Sequence, residues 1–219
     1  MSLTAILFCF HFLSISGLTQ MASTATSASR SGQKIRFVTN KMCPFAQRTW
    51  IALEEASLPY SIEEVSLYGA GGKPKWFLEL NPKGQVPVLV IDDVVTVESE
   101  KTLDAVAEIS GVMSQEADER EWRERIASML LPRGKQCVLA GDTSGIKKLL
   151  EMLEPAVKGP YLCGERFSSA DISAAPFMQR INSEFGIPNT CPNLQNWWAT
   201  IEERPAVAKT IQSSWWWWW

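Results

Sequence analysis

Residues 41–50 read KMCPFAQRTW, and three of them in order, a cysteine, a proline and the start of an apolar run, decide how the rest of the chain is read. Proline is favoured at the first position of a helix, where its missing N–H is not needed and its fixed φ suits the turn. Pro44 therefore opens a predicted helix over PFAQRTWIALEEAS, 44–57, with Phe45, Trp50, Ile51 and Leu53 as apolar positions, and Cys43 stands at its mouth. Unpaired backbone N–H groups and the macrodipole favour negative charge there. Cys43 is thus expected to be a reactive thiolate that titrates below the ordinary value of about 8.5, aided by Lys41 if that side chain turns inward. The competing reading is a small buried hydrophobe, as free cysteines often are; a core position would not need the proline or the loop before it.

Working outward, KIRFVTN (34–40) reads as a strand before the helix and YSIEEVSL (60–67) as a strand after it, giving a βαβ unit. A short helix in KPKWFLELN follows, then VPVLVIDD and VVTVE, two apolar runs separated by Asp92-Asp93 as a hairpin turn. SEKTLDAVAEIS from Ser99 reads as a helix stopped by Gly111. Beyond Gly111 only helical stretches occur: EADEREWRERIASMLL, TSGIKKLLEMLEPAV, SSADISAAPFMQRINSEF and CPNLQNWWATIEER. An α/β half followed by an all-α half implies two domains, 33–111 and 119–211, with 112–118 as linker. Between Leu131 and Thr143, LPRGKQCVLAGDT carries Pro132, Gly134 and Gly141 and is predicted to break the long helices.

The start of the SSADISAAPFMQRI helix is fully written in sequence. Ser168 is the expected N-cap, Asp171 the third helical position, and Phe167 with Ile172 a hydrophobic staple. A carboxylate there offsets the helix dipole without any substrate, so Ser168 and Asp171 are read as structural.

The ends differ in character from the middle. LTAILFCFHFLSI (3–15) is apolar but short for a bilayer span, the following STATSASRSGQK is hydroxyl-rich, and no Asp or Glu precedes Glu54. Residues 1–32 are therefore read as a targeting leader, with translation starting at Met21 as the alternative. The first reading implies a plastid or other organelle, the second the cytoplasm. Trp215–Trp219 are five consecutive tryptophans, read as a repeat-derived tail (212–219) in preference to an aromatic anchor.

Composition narrows the function. The 219 residues are 46% hydrophobic and 21% charged, with a net charge of -3, so no basic field is available to hold nucleic acid or an anionic membrane. The partner expected is a small molecule or a protein. Cys9, Cys43, Cys137, Cys163 and Cys191 are widely spaced with no C-x-x-C, which argues against a metal site or a disulfide scaffold. The one histidine, His11, lies in the leader, so no Cys-His or Ser-His pair serves the fold. Three residues after Cys43, where a thioredoxin-type dithiol needs its second cysteine, stands Ala46. A monothiol that forms a mixed disulfide needs an external thiol to release it, and glutathione is the abundant one in reducing compartments.

CPFAQRTWI, KPKWFLELNPKGQVPVL, ESEKTLDAVAE, GPYLCGERFSSADISAAPFMQRI and CPNLQNWWATIEERPAV together resemble the cysteine-type glutathione transferases, the omega and lambda classes and the related dehydroascorbate reductases. The resemblance runs collinearly from about Lys34 to Thr210. It implies a thioredoxin-like N-terminal domain, an all-helical C-terminal domain, glutathione as co-substrate, and a homodimer as one possible assembly. It also implies roles. Cys43 matches the nucleophile and Phe45 the residue beside the bound peptide; Lys73 matches the lysine near the glycyl carboxylate. Val86, before an expected cis Pro87, matches the residue whose backbone pairs with the cysteinyl part. Glu98 and Ser99 match the pair that receives the γ-glutamyl end. The chemistry agrees: glutathione carries two carboxylates and one ammonium, which Ser99 and Lys73 on one side and Glu98 on the other can face. No tyrosine precedes Tyr60, which excludes the tyrosine-activated members. A cysteine in place of a catalytic serine favours disulfide exchange, deglutathionylation or dehydroascorbate reduction over conjugation. Trp122, Arg125 and Met129 are candidates to line the second-substrate pocket, although Trp and Met on a helix more often belong to the core. A non-catalytic glutathione or glutathione-conjugate carrier, or a redox-sensing module, is the alternative from another class.

Overall fold

The computed structural model describes residues 32–67, 72–111 and 116–211; the leader, most of the linker and the tryptophan tail lie outside them. The first half contains β1 (Ile35–Thr39), α1 (Pro44–Glu55), β2 (Ser61–Glu64), α2 (Lys75–Leu80), β3 (Val88–Ile91), β4 (Val94–Val97) and α3 (Ser99–Ser110). The strands form one sheet in the order β2-β1-β3-β4. β1 runs parallel to β2 and antiparallel to β3, and β3 runs antiparallel to β4. Phe37, opposite both Ile62 and Leu89, is fully buried with Val38, Val88 and Leu89. The Asp92-Asp93 turn is where the sequence placed it. Asp92 adopts a left-handed φ of 54° and its Oδ1 accepts from Lys34 N at 3.0 Å. Gly111 ends α3 with φ 63°, a conformation that costs glycine nothing.

The second half is helical: α4 (Ala117–Arg125), a π-helical turn Ile126–Leu130, α5 (Leu131–Ala140), α6 (Thr143–Leu153), a 3-10 turn Glu154–Ala156, α7 (Ser169–Phe185), α8 (Pro192–Glu202) and α9 (Pro205–Thr210). α4 opens inside the stretch read as linker. The break expected between Leu131 and Thr143 falls only at Gly141-Asp142, between α5 and α6; Pro132 and Gly134 do not interrupt the helix. Pro132 follows directly on the π turn, whose wider i→i−5 spacing accommodates the ring, and the helix continues through it. Gly134 is buried within α5, and Gly141, with φ 63°, caps it. No helix among the described residues is long and apolar enough to cross a membrane.

α1 joins the halves, because it packs against α3 on one side and α7 and α9 on the other. A helix surrounded this way buries polar positions too: Gln47, Arg48 and Thr49 lie in the core beside Ile51 and Leu53. Each is hydrogen-bonded, as burial requires. Gln47 Nε2 donates to Gln179 Oε1 at 3.0 Å and Thr210 Oγ1 at 3.2 Å, and the Thr49 and Thr102 hydroxyls meet at 2.6 Å. In the helical half the core is tied together by Asp171, 0% exposed. It closes a capping box with Ser168, its Oδ2 accepting from Ser168 N at 2.8 Å, and its Oδ1 accepts from Leu162 N at 2.9 Å and Trp197 Nε1 at 2.8 Å. The structural reading of Ser168 and Asp171 thus agrees with their surroundings.

Candidate functional site

The loop after β1 is stitched to the sheet by Asn40. Its Oδ1 accepts from Met42 N at 3.0 Å, its carbonyl from Cys43 N at 2.9 Å, and its Nδ2 donates to Val65 O at 2.9 Å. Cys43 is left extended (φ -82°, ψ 117°) with Pro44 opening the helix, so the half-buried thiol faces the first turn of α1. Sγ lies 4.0 Å from Val86 O. The Val86-Pro87 bond is cis, as expected. The turn that presents it is knotted by Asn81, whose Nδ2 donates to Gln85 O at 2.8 Å and whose carbonyl accepts from Gly84 N at 2.7 Å.

All seven residues singled out in the sequence, Cys43, Phe45, Lys73, Val86, Pro87, Glu98 and Ser99, line one cavity of about 480 Å³. Three lysines lie around it against one carboxylate: Lys73, Lys83 and Lys135 against Glu98. Lys73 folds over Gly84, where an added Cβ would lie 2.7 Å from its Cδ and 2.9 Å from its Nζ. Glu98 holds a left-handed φ of 72°, unusual for a residue with a side chain and a form of strain that recurs at binding sites. Its Oε1 is 3.0 Å from Lys83 Nζ. Ser99 heads α3, and its Oγ accepts from Arg48 Nη1 at 3.2 Å.

Two arginines stand behind the thiol. Arg48, 1% exposed, donates from Nε to Ser173 O at 3.0 Å and from Nη1 to Glu100 Oε1 at 2.7 Å, with its guanidinium 4.7 Å from the Phe177 ring centroid. Glu100 is shared with Arg123, which also reaches Asp104 at 2.7 Å. Burial holds the Arg48 pKa down to about 10, and Glu100 opposes the fall. Arg180, from α7, donates from Nη2 to Met42 O and from Nη1 to Gln47 Oε1, both at 3.0 Å.

The expectation of a lowered Cys43 pKa is reversed. Burial pushes the thiol up, and this outweighs the N–H groups of Ala46 and Phe45 and the charges of Arg180 and Arg48, all of which pull it down. The helix mouth acts in the expected direction but does not win. Trp122, Arg125 and Met129 do not line this cavity: Trp122 is in the core and Met129 packs against it, as is usual for such residues on a helix, and Arg125 pairs with Glu121 at 2.5 Å. α5 contributes Lys135 to the cavity instead. Leu67, Asn81, Lys83, Gly84 and Gln85 also line it. The last four fall inside the NPKGQVP stretch, which was legible as a unit; Lys135 had no sequence signal. Among the described residues no group of three or more His, Cys, Asp or Glu converges to hold a metal.

Residues 42–109 match the family profile "Glutathione S-transferase, N-terminal domain" and residues 113–205 match "Glutathione S-transferase, C-terminal domain". The probable glutathione S-transferase DHAR2, chloroplastic, of Oryza sativa subsp. japonica is 27% identical over 180 residues, covering 77% of this chain and 65% of that protein. The probable glutathione S-transferase DHAR1, cytosolic, of the same plant is 27% identical over 181 residues, covering 77% and 83%. The crystal structure of glutathione transferase Omega 3C from Trametes versicolor superposes with a TM-score of 0.73 at 25% identity, covering 84% of this chain and 87% of that one.

Proposed function

Because the chain belongs to the glutathione S-transferase family, in its cysteine-type group of omega and DHAR-like members, we propose that it is a glutathione-dependent thiol transferase and reductase working through Cys43. The observation that carries this reading is the convergence of Cys43, the Val86-Pro87 edge and the Glu98-Ser99 helix start on one cavity.

In the proposed cycle, Cys43 thiolate attacks the glutathionyl sulfur of a mixed disulfide R–S–SG. The S–S bond breaks, R–S⁻ leaves and takes a proton, and Cys43–S–SG remains. A second glutathione thiolate attacks the glutathionyl sulfur of that adduct, giving oxidised glutathione and regenerating Cys43 thiolate. With dehydroascorbate as oxidant, two glutathiones are oxidised to one disulfide as ascorbate forms. No metal enters. The main chain of Val86 pairs with the cysteinyl unit like an added strand, with Pro87 fixing that edge and Phe45 beside the peptide. Lys73 faces the glycyl carboxylate. Ser99, whose oxygen already accepts from Arg48, keeps its own proton to donate to the γ-glutamyl carboxylate. Glu98 takes the ammonium that Lys83 mimics in the free protein. A thiol of raised pKa is a strong nucleophile once ionised but a poor leaving group. The raised pKa thus slows both steps, the first by lowering the thiolate fraction and the second by making Cys43 a poorer leaving group, and the N–H groups of Phe45 and Ala46 oppose it in both.

The same raised pKa favours a second reading, a carrier or sensor that binds glutathione or its conjugates without turnover. Steady-state turnover of hydroxyethyl disulfide with glutathione separates the two. Turnover that disappears in Cys43→Ser supports the enzyme; stoichiometric binding with no turnover supports the carrier. We further propose the domain division 33–111 and 119–211, a homodimer checked by light scattering, and residence in the cytoplasm, or in the plastid if residues 1–32 direct it there, checked by imaging full-length and leaderless fusions.

A further inference from the structure

We infer that Arg180 is the counter-ion of the Cys43 thiolate, a positioning residue that α7 supplies to the mouth of α1. The inference rests on the reading of Cys43 as a working thiol.

Arg180 is 7% exposed, and its partners are all neutral: Met42 O, Gln47 Oε1 and Pro176 O. Its Nε has no acceptor, as Arg48 Nη2 has none, so what sets Arg180 apart is its charge. Among the described residues it forms no ion pair, in contrast to Arg48, whose charge is met by Glu100 at 2.7 Å. A buried cation without an anion is strongly disfavoured, so an anion that forms beside it is stabilised. The position of the guanidinium identifies that anion. One nitrogen is bonded to the carbonyl of Met42, the residue before Cys43, and another to the side chain of Gln47, one turn after it. Arg180 is thereby held against the chain on both sides of the thiol. Consistently, burial lowers the Arg180 pKa to about 10 and the charge of Cys43 opposes that fall.

The other charged groups facing Cys43 are Arg48 from α1 and, around the cavity, Lys73, Lys83, Lys135 and Glu98. Arg48 is neutralised by Glu100, and Lys83 is paired with Glu98. Arg180 is the buried member of the set whose charge is left for the thiolate. It supplies what the absent histidine supplies in other cysteine enzymes, with the difference that it takes no proton.

The test is the pH dependence of alkylation at Cys43 by iodoacetamide, read on the Cys43 peptide by mass spectrometry so that the other cysteines do not contribute. Arg180→Gln keeps a donor for Met42 O and removes the charge; its midpoint is expected to rise by about one pH unit or more. Arg180→Lys keeps the charge and is expected to titrate within about half a unit of the wild type. A midpoint unchanged in Arg180→Gln overturns the inference. Should that variant not fold, Arg180→Lys decides it, because a full-unit rise there would mean that the hydrogen bonds and not the charge matter. Alkylation needs no glutathione, so absent turnover in the wild type would sink the proposed function and leave this comparison standing.

Discussion

Lys83 Nζ lies 3.0 Å from Glu98 Oε1 at the rim of the cavity, so the carboxylate proposed for the ligand ammonium already holds an ammonium in the free protein. Exchanging one for the other costs little, since both side chains are largely exposed and such pairs contribute about 0–1 kcal/mol. Glu98→Gln is expected to raise the glutathione KM about tenfold, the loss of one charged hydrogen bond, with a smaller change in kcat. Lys83→Met is expected to change KM by less than about threefold. Steady-state kinetics of the two variants check this; equal effects would remove the proposed role of Glu98.

Gly84 combines a φ of 61° with a Cβ position 2.7 Å from Lys73 Cδ. Gly84→Ala is expected to cost about 1–2 kcal/mol in the left-handed backbone and to displace Lys73. Denaturant unfolding should show the first effect, and a rise in glutathione KM comparable to that of Lys73→Ala the second.

Asp171 accepts from Leu162 N, Trp197 Nε1 and the Ser168 main chain and hydroxyl with no exposure. Removing one partner of such a network leaves buried donors unmet, and Asp171→Ala is expected to destabilise the protein by about 3 kcal/mol or more. In protein that remains folded, the glutathione KM should be unchanged. A stable variant with altered KM would move Asp171 from the scaffold to the site.

Cys43 carries the pH prediction. Burial raises its pKa, so the thiolate fraction at neutral pH is smaller than for an ordinary cysteine, and the alkylation rate of the free protein should still be climbing beyond about pH 8.5. A plateau below pH 8 would show that the helix mouth and the arginines outweigh desolvation.

Cys43→Ser should abolish thiol transfer, because a hydroxyl cannot form the mixed disulfide. Ala46→Cys should install a resolving thiol one turn along α1 and convert part of the glutathionyl adduct to an internal disulfide. Intact mass after treatment with oxidised glutathione reads both: one adduct in the wild type, none at position 43 in Cys43→Ser, and partial loss of the adduct in Ala46→Cys.

Features set by neighbours along the chain were readable before the fold was known. Pro44 set the start of α1, Asp92-Asp93 the hairpin, Gly111 the end of α3, and Ser168 with Asp171 the start of α7, because caps and turns are decided within a few residues. Of the cavity residues, Cys43 was legible from its place at the helix mouth, whereas Lys73, Val86, Pro87, Glu98 and Ser99 were legible only through the family resemblance, since no local rule singles them out. Tertiary structure alone decided the rest. Gln47 and Arg48 look like the solvent side of an amphipathic helix until α7 and α9 cover them. Pro132 and Gly134 look like breakers until the π turn before α5 absorbs the misfit, and Lys135 of that helix reaches a cavity formed by the other half of the chain. The charge state of Cys43 depends on how much water the fold removes and on Arg180, 137 positions along the chain. Desolvation and Coulomb energy act through space, and a reading along the chain cannot sum them.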